Sequence, residues 1–277
     1  MIYDLKQVRR IVREAQALCI TAGAGMGVDS GLPDFRGNDG FWKAYPPIKK
    51  LGISFVEMAN PYWFEHNPRL AWGFYGHRLN LYRKTKPHQG FYDLLNLASS
   101  KPAGYFVFTS NVDGQFQQAG FDPGRIIECH GSIHHFQCTI PCNTNIWDAG
   151  EIQVQIDEEC FLASEPLPLC PNCGALARPN ILMFGDWHWN SDRTECQERL
   201  FSDWIQWIKK QQFQLVIIEI GAGEAIPTVR YKSELIASMD SAALIRINPR
   251  DYRVPAGHFG INAGGLEGIN KILVNDS

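Results

Sequence analysis

No excess of basic charge marks this sequence: 26 Lys and Arg face 29 Asp and Glu, a formal net charge of −3 at pH 7. A nucleic-acid or anionic-membrane partner calls for a positive field, so neither is expected. Apolar runs are short, none approaching the roughly 18 to 20 residues that cross a bilayer. The first residues, Met1-Ile2-Tyr3-Asp4-Leu5-Lys6, lack the basic-then-apolar order of a secretion signal, and a cytoplasmic location is the expectation. Internal repeats and low-complexity segments are absent. Also missing is a full Gly-x-Gly-x-x-Gly with an acid downstream, which argues against an ordinary dehydrogenase. What remains, 45% hydrophobic and 20% charged residues over 277 positions, suits one large domain with insertions or two smaller ones.

The most informative stretch is residues 22 to 37, Ala-Gly-Ala-Gly-Met-Gly-Val-Asp-Ser-Gly-Leu-Pro-Asp-Phe-Arg-Gly. It follows the apolar run Leu18-Cys19-Ile20-Thr21, which reads as a buried strand. Its glycines let the backbone pass close to something bulky. Amides freed at a strand end suit a phosphate. The Pro-Asp-Phe-Arg tail adds an acid, a ring and a guanidinium that simple nucleotide binding does not need.

Other apolar runs read as strands at 105–109, 125–128, 181–184, 215–220 and 243–247. Residues 4 to 17 suggest an amphipathic helix with Leu5, Val8, Ile11 and Val12 on one face. Residues 195 to 212 suggest another, with Leu200, Trp204 and Trp207 together. The stretch 41–98 is aromatic and helical, interrupted by prolines; 133–180 carries little periodic pattern. Apolar strands alternating with helices predict an α/β fold, a parallel sheet covered on both faces. The polar motifs all follow strands, which places them on one rim, where such sheets bind ligands.

Eight cysteines are present. Cys138, Cys142, Cys170 and Cys173 form two close pairs separated by 27 residues. Paired thiolates without a secretion signal point to metal rather than disulfides. Four of them suit a closed tetrahedral zinc site with no open position for chemistry, hence a structural role. Cys160, between the pairs, is a weak substitute ligand.

Thr109-Ser110-Asn111-Val112-Asp113 ends a strand, and His130-Gly131 ends another. Alone, such residues more often cap helices or turns, although His130 has the pKa range of a general base. In order, Gly-Ala-Gly with Pro-Asp-Phe-Arg, then Thr-x-Asn-x-Asp, His-Gly, two cysteine pairs and Phe-Gly-Asp, the chain resembles the sirtuin family of NAD-dependent protein deacylases from about residue 18 to 250.

That resemblance implies a Rossmann-like domain of residues 1–37, 99–132 and 181–277. A smaller domain of 38–98 and 133–180, holding a helical module and the zinc, would be inserted in it. NAD and an acyl-lysine protein would meet in the cleft between them. Ala22, Gly23, Ala24 and Gly25 would lie against the NAD phosphates. Asp34, Phe35 and Arg36 would border the nicotinamide ribose, with Phe35 shielding it from water. Asn111 and Asp113 would hold the ribose and carboxamide, beside Ser110, and Asn111 with His130 would carry the chemistry, His130 as base. Gly221, Gly223 and Asn248 would lie near the adenosine. Phe184 and Gly185, with Ile226 opposite, would pair with the substrate peptide. Family members that remove malonyl and succinyl groups carry Tyr-x-x-Arg, and Tyr75 and Arg78 have that spacing. The plainer alternative is a packed Tyr75 with Arg78 in water.

The sequence departs from the family pattern at several points. Gly27 stands where Ser is usual and Ser110 where Gln is. Gly221-Ala222-Gly223, followed by Glu224, replaces Gly-Thr-Ser. The first cysteine pair is spaced by three residues rather than two. Trp187-His188-Trp189 has no counterpart. These departures keep an ADP-ribosyltransferase or NAD glycohydrolase open as an alternative, with a non-catalytic NAD or ADP-ribose sensor third.

Overall fold

Ala17–Ala22, the apolar run before the glycine-rich stretch, lies at the centre of a sheet. The computed structural model describes residues 4–34, 37–157 and 159–274, without the side chains of 37–39. Its strands in chain order are β1 (Ala17–Ala22), β2 (Tyr105–Thr109), β3 (Ile126–Glu128), β4 (Gly131–Cys138), β5 (Trp147–Asp148), β6 (Ile156–Asp157), β7 (Leu162–Ala163), β8 (Ala177–Ile181), β9 (Leu215–Ile220), β10 (Ala242–Ile247) and β11 (Phe259–Ile261). Six of them form one sheet in the order β11-β10-β9-β1-β2-β3, every pairing parallel. The strand succession reverses at β1, between β2 and β9. That is the Rossmann-like order, and the crevice at such a reversal is where open parallel sheets bind ligands.

Alternate residues of these strands feed two cores. Leu18, Ile20, Val107, Ile218 and Ile245 pack against Val8 and Val12, Phe91 and Leu94, and Ile269 and Ile272, from three helices on one face. Ala17, Cys19, Phe106, Ile217 and Leu244 pack against Phe201, Trp204 and Ile208, and Val229 and Ile236, from two helices on the other. Burial on both faces explains why the strands read as continuous apolar runs. Two polar residues inside them, Thr21 and Glu219, are matched by partners. Thr21 Oγ1 lies 2.8 Å from Ser233 Oγ. Glu219 sits opposite Arg246 on the neighbouring strand, with Arg246 Nη2 donating to Glu219 Oε2 at 2.9 Å and to Glu234 Oε1 at 2.8 Å.

A third core gathers Phe41, Trp72, Phe74, Tyr75, Leu79, Ile133, Phe136 and Ala177. Its spine is the helix Pro68–Lys84, started by Pro68 and by Asn67, whose side chain accepts from Leu70 N–H at 3.2 Å. Gly73 lets the β6–β7 hairpin lie on this helix, since a Cβ there would meet the Phe161 carbonyl oxygen at 2.2 Å. Antiparallel β5-β4-β8 closes the other side and carries the cysteines. No helix among the described residues is long and apolar enough to cross a membrane.

Three local expectations change. The helix expected over 4–17 spans Leu5–Glu14, because Ala17 already belongs to β1. The strand expected at 181–184 is instead Ala177–Ile181; its polar Arg178 and Asn180 hide it in the sequence. The helix Asp192–Gln211 buries Phe201, Trp204 and Ile208, leaving Leu200 and Trp207 about half exposed. The buried face lies one residue round the helix from the one anticipated.

Candidate functional site

The carboxyl ends of β1, β2, β3 and β9 open onto a cleft of about 680 Å³. Its lining gathers Gly23, Ala24, Asp34, Tyr75, Arg78, Ser110, Asn111, Asp113, His130, Phe184, Gly185, Gly221, Gly223 and Ile226. These come from segments as far apart as residues 23 and 226, and the strand-end motifs at 23–24, 110–113, 130, 185 and 221–223 share one rim. The volume falls within the ordinary range for small-molecule sites, about 300 to 1,000 Å³.

The floor is two loops pressed backbone to backbone. Gly221 has φ +65°, and a Cβ there would stand 2.4 Å from the carbonyl carbon of Gly25. Gly23 N–H donates to Ile220 O at 3.0 Å and Gly25 N–H to Gly221 O at 3.1 Å. This corrects the view of the stretch as a run of freed amides. Two glycine amides are spent holding the β1 loop to the β9 loop, and Ala24 N–H between them has no backbone acceptor among the described residues. The loop also runs into short 3₁₀ turns at Ala24–Met26 and Val28–Ser30 rather than a long helix. Ala22 is buried at the end of β1, and neither it nor Gly25 lines the cleft. Gly223 does, with nothing within 4 Å of where its Cβ would be, so it leaves a cradle that a ligand can fill.

Asn248 is also absent from the lining. It is fully buried; its Nδ2 donates to Ala222 O at 2.9 Å, and its Oδ1 accepts from Arg250 N–H at 3.0 Å and Asp251 N–H at 2.9 Å. Its side chain shapes the Gly221–Gly223 loop from behind. Phe35 and Arg36 lie outside the described residues, whereas Asp34 is on the wall.

Three polar side chains face the middle of the cleft. Asn111 Nδ2 donates to Gly23 O at 3.0 Å, which fixes the amide and leaves its Oδ1 available. Burial pushes the Asp113 carboxyl up from its usual 3.8 to about 6, against the hydrogen bond from Gln115 N–H and with the help of nearby Glu128. Burial holds His130 below its usual 6.5, opposed by a hydrogen bond to the Ser110 backbone. His130 is therefore neutral at pH 7, one nitrogen engaged and the other free to accept a proton.

The deeper wall comes from the helix Pro68–Lys84. Positions 75, 78 and 82 share one face at helical spacing, and all three residues line the cleft. Arg78 is 7% exposed, so it does not point to water as the plainer alternative required. Its Nε donates to Tyr82 Oη at 3.0 Å, and its guanidinium carbon lies 5.2 to 5.8 Å from the ring centres of Phe74, Tyr75 and Tyr82. Tyr75 Oη is buried and has no hydrogen-bond partner among the described residues. Tyr82 was not anticipated; its place four residues after Arg78 is the signal that could have revealed it. Arg250 and Asp251, also on the wall, carried no such signal.

Away from the cleft, the sulfurs of Cys138, Cys142, Cys170 and Cys173 lie within 4.8 Å of one another. Cys138 and Cys173 are 3.6 Å apart, and Cys142 and Cys170 3.7 Å. Tetrahedral zinc with sulfur at about 2.3 Å sets an edge of about 3.8 Å, so the quartet fits zinc. Gly174, at φ +74°, makes the tight turn after Cys173, its N–H donating to Cys170 O at 2.9 Å. Cys160 is exposed and outside the quartet.

The sequence model of the Sir2 family matches residues 23–208. The chain belongs to the Sir2 family. Among its relatives is an NAD-dependent protein deacylase of Pyrococcus abyssi, 36% identical over 182 residues, which are 65% of each protein. A Thermus thermophilus NAD-dependent protein deacylase is 26% identical over 276 residues, 97% of this chain and 94% of that one. A Sir2 homologue mutant in complex with ADP ribose superimposes with a TM-score of 0.71 at 26% identity, covering 98% of this chain and 95% of the other. A Sir2 homologue–NAD complex gives 0.69 at 25% identity, covering 98% and 92%. Both superpositions run over nearly the whole chain, the parallel sheet and the cysteine-bearing segment included.

Proposed function

We propose that this chain is an NAD-dependent protein-lysine deacylase. The observation that carries the reading is the convergence of Asn111, Asp113 and neutral His130 at the point where the sheet order reverses, under the β1 and β9 loops. Family relatives bearing that activity name, and neighbours that hold NAD or ADP ribose, support it.

The residues fit the cofactor in kind. Gly23, Ala24, Gly221 and Gly223 would take the phosphates and adenosine, with Asp34, Ser110, Asn111 and Asp113 around the nicotinamide ribose. Bound NAD supplies a glycosidic bond whose cleavage drives acyl transfer to ADP-ribose with release of nicotinamide. Asn111 Oδ1 would accept from a ribose hydroxyl, and ionised Asp113 from a carboxamide N–H. His130 would take a proton from a ribose hydroxyl through its unengaged nitrogen. Phe184, Gly185 and Ile226 would border the acylated peptide. The zinc would hold β4 to the Cys170–Cys173 turn and take no part in the chemistry.

Acidic acyl groups, succinyl or malonyl, are the preferred substrates on this reading. A buried guanidinium flanked by a phenol without a partner is matched by a carboxylate, which accepts charge-assisted bonds from both. The test is nicotinamide release from NAD with succinyl, acetyl and unmodified peptides. Release that needs the acyl peptide, faster with succinyl, is expected. Equal release without peptide would indicate NAD glycohydrolysis instead.

A further inference from the structure

Trp187 is 92% exposed, the most exposed large hydrophobic side chain among the described residues. Its loop is nevertheless tightly held. The Arg178–Asp186 ion pair beneath it is 3% and 0% exposed. Asp186 Oδ2 accepts from Met183 N–H at 3.3 Å, and Oδ1 from His188 N–H at 3.2 Å. Gln137 Nε2 donates to His188 O at 2.7 Å, while Gln137 Oε1 accepts from Asn190 N–H at 3.0 Å. Asn180 Nδ2 donates to Asn190 O at 2.8 Å. The buried groups on β4 and β8 thus order the loop on both sides of Trp187.

A fixed loop that presents a bare indole to water keeps a large apolar surface unburied, about 150 to 250 Å² for such a ring. The cost of ordering that surface has already been met before any partner arrives. The loop continues directly from residues 181–185, which line the cleft. Leu182 and Ile226, both on the lining, are 39% and 45% exposed. Leu182 and Ile226 thus put apolar surface at the edge of the cleft, and Trp187 follows Leu182 closely in the chain.

We infer that Trp187 is a specificity residue that docks an apolar side chain flanking the acyl-lysine of the substrate peptide. This rests on the deacylase reading in one respect, that an extended peptide enters the cleft at Phe184 and Gly185. The acyl-lysine occupies the cleft, and the neighbouring peptide residue lies on the indole. Peptides with leucine beside the acyl-lysine are bound in preference to those with glycine.

The experiment uses the full chain, wild type, Trp187→Ala and Trp187→Phe, with melting curves to confirm equal folding. Fluorescein-labelled acyl-lysine peptides carrying flanking leucine or glycine are titrated by anisotropy, and turnover is measured separately. Trp187→Ala is expected to weaken binding of the leucine peptide about tenfold, with a matching rise in KM and unchanged kcat. Binding of the glycine peptide stays the same, and Trp187→Phe restores most of the loss. Equal binding of the leucine peptide by wild type and Trp187→Ala, or an equal loss for both peptides, overturns the inference. So does failure of the leucine peptide to bind the wild-type chain. If the leucine peptide binds through Trp187 but is never deacylated, the inference stands and the deacylase reading falls.

Discussion

Asp113 should cost the protein stability in the state that its proposed function requires. The residue is 8% exposed, and burial moves its carboxyl from the usual 3.8 to about 6. Because the folded value lies above the unfolded one, the unfolded chain releases its proton first as pH rises. Stability is therefore lost between about pH 4 and 6 and stays reduced above that window. The full cost at pH 8 is about 3 kcal/mol. Asp113→Asn removes the charge while keeping an oxygen for Gln115 N–H, which Asp113 Oδ1 now accepts at 2.9 Å. The new amide needs a partner and gives back about 1 kcal/mol, leaving a net gain of about 2 kcal/mol. For a chain of this size that is about 4 to 8 °C in Tm. The assay is thermal unfolding of both proteins across pH 4 to 8, with NAD-dependent turnover measured in parallel. The variant should be more stable at pH 8, the gap should close towards pH 4, and turnover should be largely lost. A variant that is less stable at pH 8, or a gap that ignores pH, would refute the reasoning that a buried ionised carboxylate is held here at a cost.

His130 is held below 6.5 by burial, so its base form predominates at neutral pH. The acid limb of kcat/KM should lie below pH 6.5, and His130→Ala should abolish turnover with folding intact; a limb centred above 6.5 contradicts the assignment. Arg78→Met should lower kcat/KM for a succinyl peptide by about 10- to 100-fold and leave an acetyl peptide nearly unaffected, as loss of a charge-assisted bond of about 1.5 to 3 kcal/mol requires. If both peptides respond alike, Arg78 does not read the acyl group. Cys170→Ser, or treatment with a chelator, should lower Tm by several degrees. An unchanged melting curve counts against a structural metal.

The parts legible in the sequence are those where one physical demand dominates. Strands buried on both faces must be apolar, so β1, β2, β9 and β10 stood out. The cysteine quartet was readable because tetrahedral zinc fixes residue type and close pairing. β4 and β8 were hidden because their buried Gln137, Arg178 and Asn180 have partners such as Asp186 and Asn190 that only the fold supplies. The glycine-rich stretch was recognisable, but how its amides are used was not. Those of Gly23 and Gly25 go to carbonyls about 200 residues away. Asn248 was identified, yet it faces the loop rather than the cleft, since strand-end position does not fix side-chain direction. Tyr75 and Arg78 kept two readings open in the sequence; burial shows that Arg78 does not point to water, and the acyl preference belongs to the proposal.

The most direct test of the account counts two products in one reaction. With NAD and an acyl-lysine peptide, nicotinamide and deacylated peptide should appear in equal amounts, neither should form without the other substrate, and both should vanish in His130→Ala. Nicotinamide produced without deacylated lysine, at the same rate in the absence of peptide, would contradict the claim that this cleft joins NAD cleavage to acyl transfer.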